Sequence, residues 1–127
     1  MKRFSSEVTI DPAILLFRFD GQLYFGNKDY FKSSLLEAIE ERGASLKHLV
    51  LNVEPMNYID SSAAFMLRQL FEDLKSKGIS ISIAGPIGPI RDILKRSGIV
   101  SLLGEEAFFE NTHSAYQVAS GENTAED

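Results

Sequence analysis

The sequence predicts an α/β domain built on a sheet that is at least partly parallel. Stretches rich in branched and aromatic residues alternate along the chain with stretches whose apolar residues recur at helical spacing. One of the former, His48-Leu-Val-Leu-Asn-Val53, is nearly all apolar, as a strand covered on both faces must be. The 127 residues, 44% hydrophobic and 24% charged, suffice for a single buried core and fit neither a disordered nor a fibrous chain.

The elements follow in order. Ala13 to Phe19 and Gln22 to Gly26 read as two short strands, and Asp20-Gly21 between them is a favoured turn pair, so a hairpin is expected. Asn27 is placed to cap a helix over 28–42. Phe31, Leu35, Ala38 and Ile39 give that helix its apolar face, and Gly43 is suited to end it. His48 to Val53 is the central strand. A loop through Pro55 and Asn57 then leads to Asp60-Ser61-Ser62. A second helix follows, with its stripe at Ala63, Leu67, Leu70, Phe71 and Leu74 and its close at Lys77-Gly78.

Ile79 to Ala84 is the next strand. Gly85-Pro-Ile-Gly-Pro89 turns into a helix with Pro89 in its first turn, Ile90, Ile93 and Leu94 on one face, and Gly98 just past its end. Ile99 to Leu103 is too short to assign by pattern and is carried as a short strand. Thr112 is placed to cap a last helix through Ala119. The domain is expected to span 1–119. Residues 120–127 are polar, with three acids and no large apolar side chain, and have little to bury, so a disordered tail is expected.

Composition narrows the chemistry. The chain has no cysteine, which removes disulfides, thiolate metal sites and cysteine nucleophiles. A net charge of −5 repels nucleic acid and anionic headgroups, so no nucleic-acid partner is expected. Apolar runs fall well short of the ~20 residues that span a bilayer, and polar Ser5, Ser6 and Glu7 follow the basic start where a signal peptide would have its apolar core. A soluble chain without an export signal is the expectation.

Catalytic inventories are thin. A serine triad would require His48 or His113 to reach Ser61 or Ser62 through the fold. Gly85-Pro-Ile-Gly-Pro89 lacks the Lys-Ser/Thr of a phosphate loop, and its prolines delete amides that such a cradle uses. Glu40-Glu41 and Glu105-Glu106 are acidic pairs without a metal-ligand constellation around them. No enzyme activity and no cofactor are therefore expected. Asp60-Ser61-Ser62 is the segment that stands out, because a helix start after a central strand displays hydroxyls and free amides at the carboxyl edge of the sheet. It reads either as plain capping by Asp60 or Ser61, or as a displayed site. The candidate positions are Ser61, for phosphorylation or docking, with Met56, Asn57, Tyr58, Asp60 and Ser62 in the loop leading to the helix.

Tyr58-Ile-Asp-Ser-Ser-Ala-Ala64 resembles the Asp-Ser-Ser/Thr-Gly signature of STAS domains, the modules shared by sulfate transporters and anti-sigma factor antagonists. The signature differs at Ala63, where the family usually has Gly. The resemblance runs from about Ile14 to Ala119 and includes Gly78-Ile-Ser-Ile-Ser-Ile-Ala-Gly85 and Pro89-Ile-Arg-Asp-Ile-Leu-Lys-Arg-Ser-Gly98. Phe19-Asp-Gly-Gln-Leu-Tyr-Phe-Gly-Asn-Lys-Asp-Tyr-Phe31, with Phe108 and Phe109, is similar to the transporter branch.

The resemblance implies a mixed sheet of about four to five strands flanked by about four to five helices. It implies a non-enzymatic cytoplasmic regulatory and interaction domain of a SulP-type sulfate or other anion transporter, at the cytoplasmic face of the inner membrane. Its implied partner is the membrane domain of the parent transporter and, more weakly, acyl carrier protein or a nucleotide, or a second copy in a homodimer. The alternative is a free-standing anti-sigma factor antagonist switched by serine phosphorylation. The phosphoacceptor of that branch falls on Ser61.

Overall fold

The computed structural model describes residues 4–6 and 11–121. Seven strands and five α-helices are present among them: β1 (Phe4–Ser6), β2 (Ile14–Phe19), β3 (Gly21–Leu23), α1 (Lys28–Arg42), β4 (His48–Asn52), β5 (Met56–Ile59), α2 (Ser61–Ser76), β6 (Ser80–Ala84), α3 (Gly88–Arg96), α4 (Ile99–Leu103), β7 (Phe108–Phe109) and α5 (Thr112–Ser120). The main sheet has the order β1-β2-β4-β6-β7, with β1 antiparallel to β2 and every other neighbouring pair parallel. The apolar segment beginning at His48 is thus the central strand. β3 and β5 form a separate parallel pair.

Alternation along the strands divides the core. Leu15, Phe17 and Phe19 of β2, Leu49 and Leu51 of β4, and Ile81 and Ile83 of β6 point to one face, where α1 and α2 cover the sheet and α3 and α4 add Ile90, Leu94, Ile99 and Val100 to the same core. Phe31 of α1 sits edge-on to Phe17 and Phe19, with ring centroids 5.8 and 5.7 Å away. On the opposite face Ile14, Val50 and Ala84 pack against Ala115 of α5. The α2 stripe of Ala63, Leu67, Leu70, Phe71 and Leu74 is buried as its spacing predicts.

Several local expectations are corrected. β2 and β3 do not form a hairpin: Gly21, at φ +95°, turns the chain away, and β3 pairs with β5. Asn27 occupies the N-cap position of α1 without capping it, because its side-chain oxygen accepts the Tyr24 N–H and its amide donates to the Gln22 carbonyl. Ile99–Leu103 is a helix and not a strand, started by Gly98 in the left-handed region; the short strand lies later, at Phe108–Phe109. The last helix is capped by Asn111, whose side chain accepts the Ser114 N–H, one residue before Thr112. That helix includes Ser120, and residues 122–127 of the expected tail lie outside the described residues.

Candidate functional site

β3 and β5 extend past the carboxyl ends of β2 and β4, and β5 runs directly into α2. Met56, Asn57 and Tyr58 therefore belong to a strand, not to a loop. The pairing slips between Gly21 and Gln22, which stand opposite Met56 and Tyr58, so Asn57 is an extra residue and the alternation is broken. Met56 is 1% exposed and serves the core. It is withdrawn from the surface that the sequence assigned to it, whereas Asn57 and Tyr58 are exposed.

Asp60 is the junction. Its Oδ1 accepts the Ala63 N–H and the Ser62 hydroxyl, both at 2.8 Å, and its Oδ2 accepts the Phe25 N–H at 3.0 Å. Its own N–H donates to the Leu23 carbonyl. Partial desolvation pushes the Asp60 carboxyl upward, but the bonds from Ala63, Ser62 and Phe25 outweigh it and hold the group below its ordinary value. Ala63, where the signature has Gly, tucks its methyl into the core while its amide takes the cap.

With Asp60 and Ser62 occupied by one another, Ser61 is the hydroxyl left facing solvent. It borders a trough of about 490 Å³ lined by Ile59, Ser61, Ala64, Phe65, Ile93, Arg96 and Ser97. Phe65 is 60% exposed, and Phe25, beside Asp60, is 72% exposed. Sequence reading missed Phe65, Ile93, Arg96 and Ser97 as surface partners of Ser61. Phe65 was legible in part, since it lies off the buried stripe of α2 and one turn from Ser61.

Neither histidine joins the serines. His48 opens β4 at the other end of the sheet, its Nε2 2.7 Å from the Ser82 hydroxyl, and His113 lies on α5. Among the described residues no cluster of three or more His, Asp or Glu could hold a metal ion, and no helix is long and apolar enough to cross a membrane.

A mixed sheet covered by helices, with a polar, capped helix start displayed beyond its carboxyl edge, defines a small α/β domain. The STAS domain family model matches residues 5–115, and the chain belongs to that family. It is 36% identical over 127 residues to the probable sulfate transporter 4.2 of Arabidopsis thaliana, covering 93% of this chain and 19% of the relative. The chain thus spans about a fifth of that transporter's length. Its fold matches the STAS domain of a SulP transporter from Vibrio cholerae, with TM-score 0.71, 19% identity, and 94% and 88% of the two chains covered. A putative anti-sigma factor antagonist from Thermotoga maritima shares the fold at TM-score 0.74 and 14% identity, with 90% and 92% covered.

Proposed function

We propose that the chain is the cytoplasmic regulatory and interaction domain of a SulP-type anion transporter, and that it acts by contact and not by catalysis. The observation that carries this reading is Ser61: exposed at the start of α2, on the rim of an apolar trough, with no imidazole positioned to activate it. The transporter relatives support the choice of parent protein, and the contact proposed is with the membrane domain of that parent. A helix start that displays a hydroxyl beside apolar side chains offers a surface and lacks the base that acyl transfer needs.

The fold likeness to an anti-sigma factor antagonist, together with the exposed hydroxyl, favours one second reading, a switch by phosphorylation of Ser61. A phosphate there would gain from the α2 dipole and be opposed by Asp60 beside it.

The test introduces Ser61→Glu and measures both pull-down with the transporter's membrane domain and the unfolding midpoint. Weakened association with an unchanged midpoint is expected. Unchanged association would return Ser61 to an ordinary helix-start residue. Esterase turnover abolished by Ser61→Ala would overturn the non-catalytic reading.

A further inference from the structure

The trough beside Ser61 has walls of a particular kind. Ser61, Ala64 and Phe65 form one wall on α2, and Ile93, Arg96 and Ser97 form the other at the end of α3; both sets have i, i+3, i+4 spacing. Residues so spaced make the ridges into which another helix packs. Ile59 of β5 provides the floor. α2 and α3 already pack against one another, so the trough is preformed.

Charge selects the occupant further. Among the described residues, Arg96 is the only charged one lining the trough. Among the described arginines, Arg18, Arg68 and Arg91 each hold a carboxylate, and Arg42 donates to the Ile14 carbonyl. Arg96 has neither kind of partner, in a chain with 18 acidic residues against 13 basic ones. A guanidinium at the edge of an apolar surface, unpaired although acids outnumber bases in the chain, is complementary to a carboxylate delivered from outside.

We propose that this trough seats an amphipathic α-helix of a protein partner, whose apolar ridge packs over Ile59, Ala64, Phe65 and Ile93 and whose acidic side chain pairs with Arg96. This rests on the reading of the α2 start as a contact face, and it names the chemistry of what is contacted. A bilayer is the less fitting occupant, because a net charge of −5 opposes anionic headgroups and a single cation marks the trough.

The test uses two synthetic peptides of about 18 residues, long enough for appreciable helicity. Both carry a Leu ridge at i, i+3, i+4, i+7; one has Glu beside the ridge and the other Lys. The Glu peptide is expected to bind, with amide shifts concentrated at residues 61–65 and 93–97. Arg96→Glu should weaken that binding about tenfold or more and restore it for the Lys peptide; Phe65→Ala should weaken both pairings. Unfolding midpoints of the variants, both altered at exposed side chains, should stay near the parent value. No binding of the Glu peptide, equal binding before and after Arg96→Glu, shifts elsewhere on the domain, or binding to phosphatidylglycerol vesicles in place of peptide would each overturn the proposal. Peptide binding without any effect of Ser61→Glu on association with the membrane domain would instead return Ser61 to an ordinary helix-start residue and leave the trough's specificity standing.

Discussion

The Asp60 carboxylate joins two elements that are 35 residues apart in sequence: one oxygen accepts the Phe25 N–H at 3.0 Å, and the other caps the first turn of α2. The aromatic turn before α1 and the start of α2 are thereby fixed together. Capping alone is worth ~0.5–2 kcal/mol, and Asp60→Ala also orphans the Phe25 amide. A loss toward the upper end of that range is expected in chemical denaturation, with Ser62→Ala costing much less. A larger loss at Ser62 would show that the hydroxyl, not the carboxylate, organises the junction.

The same contacts predict an acid limit. Because the folded pKa of Asp60 is depressed, its contribution is present above the unfolded value of 3.8 and disappears as pH falls through the folded value. Asp60→Asn should therefore flatten the stability profile below about pH 4.

His48 gives a second, opposite-looking dependence with the same sign. Burial holds its pKa below the ordinary 6.5, so the folded chain binds fewer protons than the unfolded chain as pH falls past that value. Stability should be full above pH 6.5 and decline below it until the folded His48 also titrates. Replacing His48 by Gln should remove that decline, as read from denaturation midpoints at several pH values. A decline that persists unchanged would locate the titration elsewhere.

Gly85 is a position where a side chain would meet both backbone strain and a neighbour. Its φ is +74°, and a Cβ there would run into the Glu54 side chain. Gly85→Ala should cost ~1–3 kcal/mol through left-handed strain alone, with the clash added. Pairing it with Glu54→Ala should recover the clash and not the strain. Full recovery in the double variant would mean that the backbone conformation is not the cause.

Phe31 is fully buried between Phe17 and Phe19 and ties α1 to β2. Phe31→Ala should destabilise by ~3–5 kcal/mol, as large-to-small aromatic changes in cores do. A loss under ~1 kcal/mol would show that the aromatic cluster collapses around the cavity.

The central sheet was legible because its signals are local: the uniform apolar run of β4, the stripe of α2, and the glycines at the ends of α1 and α3. What escaped was set by partners distant in sequence. Met56 to Ile59 is short, follows a proline and carries an extra residue at Asn57, so neither length nor alternation marks it as a strand. Only pairing with β3 makes it one. Asn27 had the right chemistry for a cap, but the Tyr24 amide and Gln22 carbonyl compete for its side chain. Asp60 and Ser61 could be read at the start of α2, since a capping pattern is local. Phe65, Ile93 and Arg96 could not be joined to them before α3 was placed beside α2.

A domain that acts through the Ser61 face on a transporter's membrane domain, as proposed, should make anion uptake sensitive to that face. Placed in a full-length SulP transporter in its native position, the domain carrying Ser61→Glu should fold as the parent does and change the uptake rate several-fold. Uptake identical to that of the parent, with protein level and unfolding midpoint also unchanged, would contradict the claim.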